Sequence, residues 1–279
     1  MELTPPVVTD TDSGLLMITL NRGDKGNPLN PEMLSSLEEA LTRGFSDSAV
    51  KVILLRSSSD TFSVGMDLTA LWEGSATGID VEERLRDAVS SYSRVLNIIY
   101  DGPKPVICSI SGDVRAGGVG LVCACDVVCA APEATFSLSE VLFGLVPANV
   151  LPYLLGLRVT PGKARYLALT TRMLRGDEAH TIGIVDELIE REKMETSLKK
   201  RVRQLMRSSP DALTRVKRLT ADMAWKDLNY SRKAAVEALT EVAGDPAVLE
   251  AVKAFREGMT PSWFSRFKPS KTLFLEENK

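Results

Sequence analysis

The sequence predicts an α/β protein with a helical C-terminal extension, and three observations carry that reading. Short apolar runs alternate with amphipathic stretches before Glu192. From Glu192 almost to Phe255 the pattern is helical alone, broken at Ser208-Ser209-Pro210 and Gly244-Asp245-Pro246. Two glycine turns, around Gly65 and around Gly117-Gly118, each follow a strand-like run and precede a helix-like one. These features set an α/β core over residues 1–190 and a helical region over 191–279, and the 279 residues suffice for one large core with an appendage.

In chain order, Val7-Val8 and Leu15 to Leu20 read as two strands around the turn Asp10 to Gly14. Asn21 to Asn30 is a polar loop. Pro31 then opens a helix to Phe45, with Asn30 as N-cap and Met33, Leu34, Leu37 and Leu41 on one face. Val50 to Leu55 is nearly continuous in apolar residues, as expected of a strand buried on both faces. After the first glycine turn, Trp72 to Asp80 has the composition of a mobile loop, either an active-site cover or a surface loop with no role, and a long helix follows from Val81 to Tyr100, stopped by Asp101-Gly102-Pro103. Pro105 to Ile110 and Asp126 to Ala130 read as strands, Pro147 to Leu157 and Pro161 to Thr170 as helices.

Composition excludes several function classes. The four cysteines, Cys108, Cys123, Cys125 and Cys129, lie in one apolar block and read as buried reduced thiols rather than disulfides. No CxxC pair occurs, and His180 is the single histidine, in what reads as a short surface helix. No metal site is expected, and with no GxSxG elbow no serine-hydrolase triad. A net charge of −3 gives no general reason for nucleic-acid binding. Met1 to Asp12 lacks a basic segment followed by an apolar one, and no apolar run approaches the roughly 18 residues of a spanning helix, so a soluble cytoplasmic protein is expected, off the membrane.

The chemistry concentrates between Gly112 and Leu142. A strand, a glycine-rich turn and a helix start let backbone N–H groups converge without side-chain obstruction, where the helix dipole adds partial positive charge. Glu140 arrives in an apolar setting beside Leu138, Val141 and Leu142, whose burial would raise its pKa. Bare donors plus one carboxylate point to proton chemistry beside a carbonyl, with an ion pair to an arginine as the plainer role for Glu140. Asp67 reads as a cap.

Phe62-Ser63-Val64-Gly65-Met66-Asp67-Leu68, Lys104-Pro105-Val106, Ala116-Gly117-Gly118, Cys125-Asp126, Glu140 and Gly183-Ile184-Val185-Asp186, in this order, resemble the crotonase family, the enoyl-CoA hydratase and isomerase superfamily. The resemblance implies a crotonase (ClpP-like) fold of repeated ββα units with a C-terminal helical trimerisation region, assembled as a trimer or dimer of trimers. It also implies a thioester carbonyl held by the backbone N–H groups of Met66 and Gly117. Val114 to Gly120, Phe136 to Leu145 and Pro147 to Pro152 are similar, more narrowly, to the dehydratases of polyketide β-branching cassettes. Those enzymes remove water from 3-hydroxy-3-methylglutaryl on an acyl carrier protein to give a 3-methylglutaconyl thioester. Glu140 matches the second catalytic glutamate of the general hydratases; where they carry the first, this sequence has Gly120.

On that likeness Glu140 removes the C2 proton, and the group that protonates the departing hydroxyl is unassigned: Glu140 itself in a syn elimination, or water, could serve. Candidate substrate contacts are Arg115, for the free carboxylate of a glutaryl group, Asn149, an amide near the pocket wall, and Val64 in the first turn; solvation, packing or capping is the plainer role of each. Tyr153 offers a phenol on the same terms. No cofactor is implied beyond the phosphopantetheine of the carrier, or CoA, that bears the substrate. The basic stretches Lys199 to Arg207 and Arg215 to Arg218 are candidate docking faces for an acidic carrier protein, or solvated helix faces. Trp263, Phe264, Phe267 and Phe274 should pack on the protein or a neighbouring subunit. The competing readings are a CoA-thioester hydratase or isomerase, a decarboxylating sister enzyme and a catalytically silent scaffold.

Overall fold

A computed structural model describes residues 5–70, 78–208, 210–224 and 243–259, with positions 229, 232, 233, 236, 237 and 240 between them. The core is a six-stranded sheet in the order β1-β2-β3-β4-β6-β9. Its strands are β1 (Val7–Asp12), β2 (Leu15–Leu20), β3 (Val52–Ser57), β4 (Val106–Ile110), β6 (Val127–Ala130) and β9 (Glu187–Leu188). Only β1 runs antiparallel to its neighbour. A second sheet joins β5 (Asp113–Arg115), β7 (Thr135–Ser137) and β8 (Leu174–Arg175) in the order β5-β7-β8.

The apolar run of β3 is buried on both faces. Ile53 and Leu55 join the main core under helices α1 (Pro31–Ser46), α2 (Gly78–Asp101) and α3 (Gly117–Ala124), whereas Val52 and Leu54 face a second cluster with Ile107, Cys129 and Met194. Met194 opens α7 (Met194–Met206), which covers that other face. The strand starts two residues later than its apolar run suggests. Val50 closes a turn by donating to the Asp47 carbonyl, and pairing with β2 begins at Val52 opposite Leu15 and continues to Ser57.

Side chains fix the ends of these elements. The Asn30 carboxamide accepts from the Met33 N–H at 2.9 Å and caps α1, while Lys104 Nζ donates to the carbonyls of Gly44 and Asp47 at its other end. Asp126 and Asp186 repeat one device. Each donates its backbone N–H to a carbonyl of the adjacent strand and accepts with its carboxylate from the N–H of the same residue, Val106 at 2.8 Å and Val128 at 2.7 Å. The two aspartates thus set the register of parallel strands and are structural. All four cysteines are buried thiols.

The structure departs from expectation at several elements. Pro147 to Leu157 is not one helix. A turn at Pro147–Val150 leads into Leu151–Tyr153 and then a wider π turn, Leu154–Arg158, in which the Val159 N–H reaches back five residues to the Leu154 carbonyl. That geometry turns Arg158 inward onto the Cys125 carbonyl and the Asp186 carboxylate. The short strands β5, β7, β8 and β9 were not expected; at two or three residues they are too short for a period-2 pattern. Of the loop expected at Trp72 to Asp80, residues 78–80 begin α2 and the rest lies outside the described residues. So do the aromatic residues Trp263, Phe264, Phe267 and Phe274. The breaks near Pro210 and Pro246 are present: α7 ends at Met206, α8 (Pro210–Ala224) follows, and Asp245 caps the helix Pro246–Arg256.

Candidate active site

The two glycine turns lie against each other. Residues 62–65 run between two other segments: the Phe62 N–H donates to the Asp113 carbonyl, the Arg115 N–H to the Ser63 carbonyl and the Leu29 N–H to the Gly65 carbonyl. Gly65 has φ +90°, and Ala116, a non-glycine residue, is held at φ 46° as the residue before α3. These two conformations turn the next peptide N–H groups, those of Met66 and Gly117, away from the ladder. Neither donates to an acceptor among the described residues. The glycines are required by close approach. A Cβ on Gly65 would lie 2.9 Å from the Gly117 nitrogen, and one on Gly118 would lie 2.7 Å from the Ser63 carbonyl oxygen.

Met66 and Gly117 open onto a cavity of about 970 Å³, which Val64, Arg115, Glu140 and Asn149 also line. Glu140, the two expected N–H donors and the contact candidates Val64, Arg115 and Asn149 therefore meet in one place. Glu140 begins a 3₁₀ turn, Glu140–Phe143, directly after β7. Its Oε2 is buried without a hydrogen-bond partner among the described residues. Burial pushes its pKa up to about 7, against a weaker opposing pull from the N–H groups of Ser139 and Glu140 itself. No arginine neutralises it, so the ion-pair role does not hold among the described residues. Leu138 is buried as expected, but Leu142 is 43% exposed and contributes little to that burial.

The substrate-contact candidates differ in what they can still offer. Arg115 is half exposed and already pairs with Asp113 at 2.9 Å, so its charge is partly met within the chain. Asn149 is buried, and its amide nitrogen donates to the Val89 carbonyl at 3.1 Å. Tyr153 does not line the cavity; its hydroxyl donates to Asn97 Oδ1. The Asp67 carboxylate accepts from the Ala70 N–H and is a turn cap, as expected. His180 lies on the short helix α6 (Gly176–Ile182), its Nδ1 2.9 Å from the Val185 carbonyl.

Two lining residues escaped the sequence reading. Arg22, two residues beyond β2, has a buried Nη1 with no partner among the described residues, a cation positioned for an anion. Nothing in the polar loop marked it beyond its charge. Tyr92, on the inner face of α2, is 3% exposed and donates its hydroxyl to the Gly117 carbonyl at 2.5 Å. Its helical spacing with Leu85 and Val89 is that of any core residue.

Tyr92 also changes the meaning of Gly120. A Cβ there would lie 2.0 Å from the Tyr92 hydroxyl and 3.2 Å from a Val150 methyl. The space a first glutamate would occupy is filled by a phenol, not vacant. Gly120→Ala is therefore expected to destabilise the fold by about 1–3 kcal/mol through overpacking, although alanine is the better helix former. A lower urea midpoint, largely restored when Tyr92→Phe removes the opposing oxygen, is the measurement that checks it.

Comparison with known proteins agrees with this geometry. The enoyl-CoA hydratase/isomerase family model matches residues 10–266. The chain is 31% identical over 245 residues to an enoyl-CoA hydratase of Thermus thermophilus, covering 88% of this chain and 95% of that one. It is 33% identical over 172 residues to the bacillaene synthase dehydratase PksH of Bacillus subtilis, 61% of this chain and 63% of that one. Among solved structures, an enoyl-CoA hydratase/isomerase from Xanthobacter autotrophicus superposes with a TM-score of 0.81 at 26% identity, over 90% of this chain and 93% of that one. The PksH structure from Bacillus subtilis superposes with a TM-score of 0.79 at 25% identity, over 91% and 98%.

Proposed function

The chain belongs to the enoyl-CoA hydratase/isomerase family, and from that premise we propose that it is a dehydratase that removes water from a 3-hydroxy-3-methylglutaryl thioester on an acyl carrier protein, giving the 3-methylglutaconyl thioester. The observation that carries this reading is the pairing of one carboxylate, Glu140, with two unpaired N–H groups, while the position of a second acid is closed by Tyr92. A donor pair aimed at the thioester oxygen stabilises the enolate, and one such donor is worth about 3 kcal/mol of barrier. Glu140, in its carboxylate form, takes the C2 proton. The likeness to PksH over part of the chain favours loss of water and a carrier-bound substrate.

The remaining roles follow from the cavity wall. Arg22, with its unmet buried nitrogen, and the exposed Lys25 line the mouth, where a phosphopantetheine phosphate would enter. Arg115, at the rim, would meet the free carboxylate of the glutaryl group by exchanging Asp113 for it. Docking of the carrier cannot draw on every basic residue of the helices. Lys217 is tied to Asp126 at 2.6 Å and to the carbonyls of Ile99 and Lys104, Arg201 pairs with Glu187, and Lys199 and Arg215 pair along their own helices. Exposed Leu169, Met173, Val216 and Leu219 support assembly into a trimer. No helix among the described residues is long and apolar enough to cross a membrane.

The test is incubation with 3-hydroxy-3-methylglutaryl on a carrier protein and, separately, on CoA, followed by mass measurement. Loss of water from the carrier form supports the proposal; hydration of a simple enoyl-CoA supports a CoA-thioester hydratase instead, loss of carbon dioxide a decarboxylase, and no change a scaffold. The pH profile provides a further expectation. Because the base is the ionised form of a carboxyl with a pKa of about 7, kcat should rise as pH increases through 7 and level above it.

A further inference from the structure

Water leaves as hydroxide unless something protonates it, and Glu140 is engaged with the C2 proton on the proposed reading. Tyr92 stands where a second acid would act. Its hydroxyl lies 2.0 Å from the point at which a side chain on Gly120 would begin, so it occupies that position in the cavity wall. It is locked there by a 2.5 Å hydrogen bond to the carbonyl of Gly117, the residue whose N–H is one of the two oxyanion donors. The same ring therefore touches the oxyanion turn and the catalytic cavity at once.

We propose that Tyr92 is the proton donor to the departing hydroxyl. The inference rests on the dehydratase reading. In the step, Glu140 takes the C2 proton and the thioester oxygen carries the enolate charge between the N–H groups of Met66 and Gly117. The enolate electron pair then forms the C2–C3 double bond, the C3–O bond breaks, and the Tyr92 O–H, turning from the Gly117 carbonyl it bonds at rest, gives its proton to the departing oxygen, which leaves as water. The Glu140 carboxylic acid returns its proton to the Tyr92 phenolate, through a water if needed, and both groups are restored. Burial and the nearby Glu140 carboxylate hold the phenol well above its usual pKa, so Tyr92 is protonated at every working pH.

The test is Tyr92→Phe, assayed in D₂O on the 3-hydroxy-3-methylglutaryl carrier thioester. The ring that packs under Gly117 and Gly120 is kept and only the hydroxyl is lost. Water loss is expected to fall by about 10²-fold or more, while deuterium exchange at C2 of unreacted substrate continues near the wild-type rate. With 3-fluoro-3-methylglutaryl on the same carrier, whose fluoride leaves without a proton, the variant should eliminate at nearly the wild-type rate. A merely structural role predicts exchange and both eliminations falling together, and that result overturns the proposal, as does undiminished water loss. If the variant does not fold, fluorotyrosine at position 92 keeps the hydroxyl and lowers its pKa. The rate on the hydroxy substrate should then change while that on the fluoro substrate does not, and equal response of the two would overturn the assignment. Wild-type enzyme that releases no water from the 3-hydroxy-3-methylglutaryl carrier thioester removes the dehydratase reading itself, an outcome separable from wild-type activity that survives Tyr92→Phe.

Discussion

Glu140→Gln is expected to abolish water loss, with a fall of at least about 10³-fold, and at the same time to make the folded protein more stable at pH 8. The first effect follows from removing the buried carboxylate proposed to take the C2 proton; the other carboxylate lining the cavity, Asp67, is engaged as a turn cap on the Ala70 N–H. The second follows from the direction of its pKa. Burial raises the folded-state value from 4.5 to about 7. The group's contribution to stability is thus fully present below the unfolded value, near 4.5, and is lost as pH rises through about 7. Above 7 the wild type holds a buried charge whose Oε2 finds no partner among the described residues, a penalty on the order of 3 kcal/mol at about 1.4 kcal/mol per pH unit. Glutamine fills the same volume without the charge. Urea unfolding at pH 5 and pH 8 should therefore show the variant close to the wild type at the lower pH and above it at the higher. A variant less stable at pH 8 would mean that Glu140 is held by an ion pair and is structural.

That exchange of stability for reactivity is consistent with what the sequence made legible and what it did not. Glu140 was visible because a lone carboxylate in an apolar stretch after a glycine turn has few structural excuses. Helix α1 was visible from its cap and face, with Asn30 on the Met33 N–H and Met33, Leu34, Leu37 and Leu41 all buried. The double burial of β3 was legible from an unbroken apolar run, because a strand with one wet face alternates. Tyr92 was hidden for the opposite reason. Its position on α2 satisfies a helix period, so its phenol could not be told from a packing residue until Gly120 was seen to lie beneath it. The ion pairs that engage Lys217 and Arg201 join residues far apart in the chain, Asp126 and Glu187, and basic composition alone could not reveal them. The aspartates of Cys125-Asp126 and Val185-Asp186 contributed to a motif yet act as strand anchors, so a motif residue need not be a catalytic one.

Gly65→Ala should lower kcat by about 10²- to 10³-fold with the fold largely retained. At φ +90° the position already strains any residue with a Cβ, and the added methyl would meet the Ala116 Cβ at 2.8 Å, the Gly117 nitrogen at 2.9 Å and the Arg115 carbonyl oxygen at 3.1 Å. Two of these three contacts are backbone, which cannot swing aside, so relief must come from parting the two turns. On the proposed mechanism, parting them moves the N–H groups of Met66 and Gly117 off the thioester oxygen they would share, and loss of one such donor is worth about 3 kcal/mol. The surrounding ladder resists wider damage, since Gly65 is tied on both sides, its N–H to Ser63 Oγ and its carbonyl to the Leu29 N–H. An interaction made chiefly with the enolate lowers kcat and kcat/KM together and leaves KM nearly unchanged. Gly162→Ala, near the start of helix α5 (Pro161–Thr170) with open space around the added methyl, serves as the control and should keep full activity. Retained kcat in Gly65→Ala, with a stable fold, would remove Met66 and Gly117 from the oxyanion role. A rise in KM alone would instead make the turn a binding wall.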